Sequence, residues 1–409
     1  MVAEEPTGDA EQHEENGPTR NGPVVQKQGV FHGSHRVAAL ALKLPRHRRT
    51  LNPPSKQRPK VSVCKKEYEG LPREDIMGEN PVLVAASAPG KCILFGEHAV
   101  VYGQPAVAVA IEQRLTVSMS SALTWSVDGS ALDEQKHPHI TLLRDTWLKH
   151  GPPMALHVSG DIPSASGLGS SAALSAAVGA AMHHLAHPEK GIDRDGLSAF
   201  AHRAEAHAQQ GRASPMDAST SVEGGVVVLS DRRETHGRWL YTRRLSTPEG
   251  ERRWEVHGIA PPEDDVYLVL GNTGVHAPTS RQVAMVAEAL KSKPSRMQEI
   301  QAIGAVARRG LAALVDGDYE AVGHAMSENQ ILLRNLGVSS PELESLIQAA
   351  APTALGAKLT GAGGGGCMVA LTRHPKQTSE AIELAGGRTL VSKIGNMGVR
   401  LDRRTDSIP

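Results

Sequence analysis

Short apolar runs separated by polar or glycine-rich segments begin just after Pro81 and recur along the rest of the chain. Runs of this length, bounded by turn-forming residues, predict buried strands or their flanks. The clearest of them cover residues 82–86, 93–95, 106–111, 224–229, 266–270 and 367–371.

Other segments repeat apolar residues with the 3.6-residue period of a helix. The Ala-rich segment 172–185 carries Leu174, Val178 and Leu185 at helical spacing and directly follows a glycine-serine turn, so it predicts a buried helix. Mixed strands and helices in this order favour an α+β fold over a regularly alternating parallel sheet. The remaining predicted helices cover residues 197–208, 280–290, 297–315 and 319–333.

The first 80 residues lack this periodicity. They mix Gly, Pro, Gln and charged residues, a composition that predicts disorder. Residues 17–66 contain no Asp or Glu but several Lys and Arg, which leaves a solvated tail and an anion-binding arm as interpretations. A third interpretation is that translation begins at Met77. We therefore expect an extension over residues 1–80, a first domain over 81–260 and a second over 261–409.

Composition and charge limit the kinds of molecule that the protein is expected to bind and the compartment in which it is expected to occur. The chain has 44 Lys and Arg against 44 Asp and Glu, so no net field attracts nucleic acid or an anionic membrane. Its 3 widely spaced cysteines give neither a paired zinc spacing nor an even disulfide count, which favours a reducing compartment. No run reaches the roughly 18 apolar residues of a membrane span. We expect a cytoplasmic protein that binds neither nucleic acid nor membrane.

The strongest local motif is the run P-S-A-S-G-L-G-S-S-A-A that starts at Pro163 and opens the predicted helix 172–185. Glycines let the backbone approach an anion closely, and the free N–H groups of a first helical turn point towards it. The spacing matches neither the Walker pattern nor the dinucleotide fingerprint. A tight turn capped by Ser170 is the alternative. The length of the run favours a phosphate-binding turn at residues 167–171.

Polar groups also cluster in the first apolar strand pair. Lys91, Glu97 and His98 lie within eight residues between glycine turns, and such a cluster is costly to bury without purpose. A surface hairpin with solvated charges is the alternative.

Two later segments carry further candidate chemistry. Asp217 follows a rigid Ser-Pro turn, where it could accept the proton of an attacking hydroxyl or cap the residues after it. The run K-L-T-G-A-G-G-G-G-C from Lys358 has the freedom to wrap a ligand or to form a loose hairpin. Glu205, on the predicted helix 197–208, is either a solvated carboxylate or a ligand of Mg²⁺ bridging ATP phosphates.

These four motifs, in this order, resemble those of the GHMP kinase superfamily over roughly residues 82–400. The pattern P-x-x-x-G-L-G-S-S-A-A is highly specific for it and occurs here without a departure. The runs A-P-G-K-C-I-L-F-G-E-H-A-V-V-Y-G from Ala88 and K-L-T-G-A-G-G-G-G-C from Lys358 resemble the mevalonate kinase family, and G-x-A-S-P-x-D from Gly211 resembles its archaeal branch. The resemblance implies a two-lobed α+β fold, with an N-terminal lobe like ribosomal protein S5 domain 2 and a ferredoxin-like C-terminal lobe.

The resemblance also implies an activity, the transfer of the γ-phosphoryl group of ATP to the C5 hydroxyl of mevalonate with Mg²⁺ as cofactor. Asp217 matches the catalytic base, and Lys91 matches the lysine that polarises the hydroxyl and the phosphate. Glu97 and His98 match residues near the mevalonate. Thr279 or its neighbour Ser280 lies where the family has a threonine on the substrate-carboxylate side.

The nucleotide site follows from the same resemblance. Ser171 matches a hydroxyl on Mg²⁺, and Glu205 matches the metal-binding glutamate with a shift of one residue in its spacing from Asp217. A homodimer is expected by family analogy. The nucleotide phosphates are expected to contact Ala165, Ser166, Gly167, Leu168, Gly169, Ser170 and Ser171.

Two other functions remain open at this stage. One is another small-molecule kinase of the superfamily, such as a phosphomevalonate or sugar kinase. The other is a homologue that binds nucleotide without catalysis, although the presence of Lys91, Ser171 and Asp217 favours an enzyme.

We predict that a chain starting at Met77 keeps full kinase activity, because none of the four motifs lies before it. Turnover and solubility of the shortened and full chains are the measurements. A large loss of either would show that residues 1–76 matter.

Overall fold

The computed structural model describes residues 81–163, 166–208, 213–247, 250–260 and 264–403, which belong to one compact unit. The predicted extension 1–80 lies outside these ranges, as does Ala165. None of the helices in the described ranges is long and apolar enough to cross a membrane.

The larger of two sheets is built around two long antiparallel strands, β1 and β2. They pair from Val82 opposite Ser120 to Phe95 opposite Val107. The other side of β2 pairs with β6 along its first half and with β5 along its last half. The described strands of this sheet are β1 (Val82–Phe95), β2 (Ala106–Ser121), β3 (Ser126–Val127), β4 (Ser130–Ala131), β5 (Met154–Gly160), β6 (Val226–Ser230), β7 (Arg238–Thr247), β8 (Gly250–Ile259) and β13 (Arg400–Arg403).

Four helices pack against this sheet around an apolar core. The central helix, α2, is rich in alanine and therefore approaches its neighbours closely: a Cβ on Gly179 would lie 2.7 Å from the Leu197 side chain of α3. Val84 and Met119 from the sheet and Val178 from α2 are buried together in this core. The helices are α1 (Pro138–Trp147), α2 (Ser170–Ala186), α3 (Arg194–Ala208) and α4 (Met216–Glu223).

The smaller sheet has four antiparallel strands in the order β10-β11-β9-β12. The strand that comes first in the chain, β9, lies between the third strand, β11, and the fourth, β12. This is the ferredoxin-like arrangement, so that prediction is confirmed. The strands are β9 (Tyr267–Asn272), β10 (Gly356–Thr360), β11 (Cys367–Thr372) and β12 (Arg388–Lys393). The helices of this lobe are α5 (Thr279–Ser292), α6 (Met297–Asp316), α7 (Tyr319–Asn335), α8 (Pro341–Ala350) and α9 (Pro375–Leu384).

One apolar cluster joins the two lobes. Phe95 and Val109 of the larger sheet are buried with Leu270 and Val369 of the smaller sheet and with Leu311 of α6. Burial of apolar surface is the main favourable term in folding, so this shared cluster makes the lobes depend on each other. Strand β13 falls within the second predicted domain, but it pairs with β1 of the first.

The predicted helices all occur, and most of their ends agree within about two residues with the structure. The two runs 82–86 and 93–95 instead form one continuous strand, β1. The intervening Pro89, Gly90 and Lys91 stay extended because they pair with β2 across a bulge between Pro89 and Lys91.

Helix α7 packs directly on β10 through two glycines. A Cβ on Gly356 would lie 2.0 Å from the carbonyl oxygen of Gly323, and one on Gly323 would lie 2.3 Å from the carbonyl oxygen of Leu355. Both obstacles are main-chain atoms, which cannot move without displacing a helix or a strand. The two glycines therefore set the distance between α7 and β10.

We predict that Gly356→Ala lowers the free energy of unfolding by about 2 kcal/mol, because the added methyl group overlaps a carbonyl oxygen in a packed core. Urea unfolding followed by circular dichroism measures the change. Gly191→Ala is the control, since a Cβ there meets nothing within 4 Å. Equal stability of the two variants would contradict the close packing of α7 on β10.

Candidate active site

The turn before α2 is shaped by two glycines with left-handed backbone conformations. Gly167 has φ 79° and Gly169 has φ 76°, a region that residues with a Cβ rarely adopt. Gly169 is the N-cap of α2 and offers no side chain to the first N–H groups, so the alternative of a turn capped by Ser170 is not observed. This end of α2 therefore presents backbone donors and the positive end of a helix dipole to an anion.

Lys91 reaches this turn from β1. Its main-chain N–H donates to the carbonyl oxygen of Leu168 at 2.9 Å, and its side chain runs over Gly169, where a Cβ would lie 2.9 Å from Lys91 Cγ. Its Nζ lies 3.2 Å from Oδ1 of Asp217, and its side chain is only 5% exposed. One residue thus connects β1, the turn and α4.

Asp217 lies in the first turn of α4, two residues after the N-cap Pro215. A carboxylate at this position is stabilised by the helix dipole. The Asp217 side chain stays 38% exposed, so it pairs with Lys91 while remaining accessible to a ligand. A carboxylate and an ammonium group are therefore side by side next to the N-terminus of α2.

Ser171 and Glu205 meet beside the first turn of α2. Ser171 Oγ donates to Glu205 Oε2 at 2.7 Å, and Ser175 Oγ donates to Oε1 at 3.1 Å. His139 Nε2, from α1, also lies 3.1 Å from Oε1. Burial alone raises the pKa of Glu205, but the contacts with His139, Ser171 and Ser175 outweigh it and hold that pKa below its ordinary value.

An ionised carboxylate and a hydroxyl whose oxygens lie 2.7 Å apart suit Mg²⁺. This ion prefers oxygen ligands and is usually held by one or two protein carboxylates together with phosphate oxygens and water. The described residues contain no group of three or more His, Cys, Asp or Glu that could hold a metal. The donor set at this point is the pair Ser171 and Glu205.

Glu97 and His98 follow the end of β1 and are both buried, which excludes a surface hairpin with solvated charges. Glu97 forms an ion pair with Lys358 through Oε1 and accepts a hydrogen bond from Asn329 Nδ2 at 3.2 Å through Oε2. Both carboxylate oxygens are thus used inside the protein. Glu97 thus has two partners inside the protein, and its place near the mevalonate stays a prediction of the family resemblance.

His98 joins the first motif to the glycine-rich loop. Its Nε2 lies 2.9 Å from the carbonyl oxygen of Ala362, and because a carbonyl only accepts, this nitrogen carries the proton. Burial lowers the pKa of His98, which favours the neutral ring. Its φ of 60° is unusual for a residue with a Cβ and marks a backbone held by its surroundings.

The glycine-rich loop, residues 361–366, connects β10 to β11 and packs against the turn before α2. A Cβ on Gly366 would lie 3.2 Å from the carbonyl oxygen of Ser166, and one on Gly361 would lie 3.8 Å from that of Gly167. The loop is therefore a hairpin, as one interpretation predicted. It is not loose, however, because it packs against a neighbouring turn.

The remaining predicted contacts are less direct. The Oγ of Ser166 donates to the carbonyl oxygen of Pro163 at 2.7 Å, and the side chain of Leu168 lies in the core shared by the lobes. Thr279 is exposed at the start of α5. This segment reaches the glycine-rich loop through Gln282, whose Nε2 would lie 2.1 Å from a Cβ on Gly364.

Sequence reasoning missed three residues of this region. His139 carries no motif around it, and Asn329 lies in the middle of an ordinary amphipathic helix. Lys358 stands in a recognised motif, but only the structure reveals its buried partner Glu97.

Comparisons with known proteins agree with this geometry. The family model for the GHMP kinases N terminal domain matches residues 139–225, and the model for the GHMP kinases C terminal domain matches residues 311–386. The mevalonate kinase of Archaeoglobus fulgidus is 36% identical over 71% of this chain and 93% of its own length. That of Methanothermobacter thermautotrophicus is 35% identical over 70% of this chain and 89% of its own length.

The fold has close counterparts among solved structures. The crystal structure of L. major mevalonate kinase in complex with R-mevalonate has a TM-score of 0.61 and 24% identity, and the match covers 77% of this chain and 99% of that one. At this identity the likeness concerns the fold alone. The archaeal relatives, which match at 35% and 36% identity over most of their length, show that this chain belongs to the mevalonate kinase family of the GHMP kinases.

Proposed function

We propose that this protein transfers the γ-phosphoryl group of ATP to the C5 hydroxyl of (R)-mevalonate, giving 5-phosphomevalonate and ADP in the mevalonate pathway of isoprenoid biosynthesis. The observation that carries the proposal is the 3.2 Å contact between Lys91 Nζ and Asp217 Oδ1 beside the open N-terminus of α2. Phosphoryl transfer needs a proton acceptor, a cation and a phosphate cradle in one place. The choice of mevalonate rests on the family to which the chain belongs.

In the proposed reaction, Asp217 accepts the proton of the C5 hydroxyl while that oxygen forms a bond to the γ-phosphorus. The bond from the γ-phosphorus to the bridging oxygen breaks, and ADP leaves with its electron pair. Lys91 polarises the hydroxyl and offsets charge on the transferred group. Most of the rate enhancement comes from positioning and electrostatic stabilisation, since the protein forms no covalent bond.

The other predicted residues take supporting roles. We assign the phosphates of ATP to the backbone of residues 166–171, and the sites of Mg²⁺ to Ser171 and Glu205. When bound there, Mg²⁺ would neutralise charge on the β- and γ-phosphates. Glu97, His98 and Thr279 are proposed to lie at the mevalonate. A cytoplasmic location and a homodimer belong to the same proposal.

We predict that mevalonate stimulates ADP release with a higher kcat/KM than 5-phosphomevalonate, galactose or homoserine. A coupled assay for ADP across these four compounds measures the difference. Equal or faster turnover of 5-phosphomevalonate would assign the chain to another substrate. Binding of ATP without stimulation by any alcohol would indicate a non-catalytic homologue.

We predict that Asp217→Asn lowers kcat by about 100-fold or more and leaves the Kd for ATP nearly unchanged, because the amide keeps the shape but cannot accept the proton. Steady-state kinetics and calorimetric titration with ATP separate the two effects. Asp195→Asn is a matched control, since Asp195 also lies in a first helical turn and pairs with Arg243 at 2.5 Å. Near-wild-type turnover of Asp217→Asn would remove this residue from the role of base.

A further inference from the structure

We infer that Lys358 and Asn329 are positioning residues for the reaction: their buried contacts with Glu97 align His98 and the glycine-rich loop with Lys91 and Asp217. The inference rests on the proposed function, because it concerns the same site. Neither Lys358 nor Asn329 lies next to the Lys91–Asp217 pair in the chain, and both belong to the other lobe.

The three side chains form a buried polar group between the lobes. The side chains of Lys358 and Glu97 are 0% and 1% exposed, and Asn329 is 0% exposed. Lys358 Nζ contacts Glu97 Oε1 and donates to the carbonyl oxygen of Leu359 at 2.5 Å, while Asn329 Nδ2 donates to Glu97 Oε2. The group therefore connects the end of β1 to β10 and α7.

Fold stability alone does not account for burying these charges. Removing two opposite charges from water costs free energy that their attraction offsets only in part, and well-packed apolar residues in their place are often as stable or more stable. What a buried ion pair adds is geometry, because a charge can be accommodated there only where its partner lies. Lys358 thus restricts Glu97, and with it the backbone at His98, to one position.

The polar group is linked to the reacting residues from both ends. On one side, Glu97 is followed by His98, which donates to Ala362 in the glycine-rich loop. On the other side, Lys358 lies two residues before Thr360, whose Oγ1 accepts the N–H of Ile93 at 2.9 Å and donates to its carbonyl oxygen at 3.1 Å. Ile93 is two residues from Lys91 on the same strand. A displacement of Lys358 would therefore be transmitted both to His98 and to Lys91.

Helix α7 gives this group a rigid support. Gly323 of α7 touches the main chain of β10 at Gly356, and Gln330, next to Asn329, accepts the N–H of Leu359 at 2.9 Å. Helix α7 is therefore held on β10 both before Asn329, by Gly323, and directly after it, by the side chain of Gln330. The amide donor of Asn329 fixes the oxygen of Glu97 that Lys358 does not use.

The test replaces the whole polar group with apolar side chains of similar size. The triple variant Glu97→Met, Asn329→Leu, Lys358→Met leaves no charge buried without a partner, so the fold is retained. We expect an unfolding midpoint close to that of the wild type, a kcat with mevalonate lowered about tenfold or more, a raised KM for mevalonate and a Kd for ATP within about twofold. A change in kcat and in KM for mevalonate without a change in Kd for ATP is a result that a purely structural role would not produce.

Two further variants keep the test decisive. Lys358→Arg preserves the charge and should retain more kcat than the triple variant, while Asn329→Ala leaves the ion pair and should lower kcat/KM for mevalonate by about threefold or more with an unchanged Kd for ATP. The exposed pair Arg309 and Glu328, which also involves α7, is the matched control, and its double substitution to Met should leave kcat unchanged.

Wild-type kcat and KM for mevalonate in the folded triple variant would overturn the inference. Should the triple variant not fold, wild-type kcat/KM in Asn329→Ala would overturn it in the same way. Failure of the proposed function has a different signature, namely a wild-type protein that releases no ADP in response to mevalonate. The same comparison is then made with the alcohol that does stimulate ADP release.

Discussion

The candidate site depends first on one main-chain hydrogen bond, from the N–H of Lys91 to the carbonyl oxygen of Leu168. This bond fastens the turn before α2 to β1, one of the two long strands of the larger sheet. Because the same residue also carries the ammonium group beside Asp217, the distance between this turn and the Asp217 carboxylate is set by the backbone of β1. Gly90 and Gly169 permit this approach, since a Cβ at either position would lie within 3 Å of the opposing segment.

The charges of the site are each stabilised locally. Asp217 lies in a first helical turn, and Glu205 is held ionised by three polar neighbours although burial opposes it. The chain as a whole has no net charge, so attraction for a polyanionic nucleotide arises from helix ends and individual side chains. Such short-range attraction is directional, which suits a reaction in which two bound molecules must be aligned.

The fold class and the longest helices could be predicted from the sequence because those helices are strongly patterned, whereas short elements such as α4 and β13 were not predicted. Helix α2 follows from alanine and leucine at helical spacing, and the topology of the smaller lobe follows from the family motifs. Strand β1 was predicted as two pieces, since Pro89 and Gly90 usually mark a turn. Pairing with β2 on one side overrides that local preference and keeps the chain extended.

Some residues of the candidate site could also be predicted from the sequence, and others could not. Lys91, Asp217 and the turn at residues 167–171 could be found because their motifs are contiguous. Contacts between distant segments could not: Asn329 and Glu97 are 232 residues apart, and nothing in the local pattern of either indicates the other. A buried lysine such as Lys358 is likewise invisible in the sequence, because the same letter usually denotes an exposed side chain.

The return of β13 to β1 has a consequence for how the protein forms. The first lobe cannot complete its sheet until residues 400–403 have left the ribosome, although its other strands emerge much earlier. During synthesis the free edge of β1 is an unpaired strand edge, the kind of surface that invites pairing with other chains. Chaperone binding or slow elongation should therefore matter more for this enzyme than its two-lobed architecture alone would indicate.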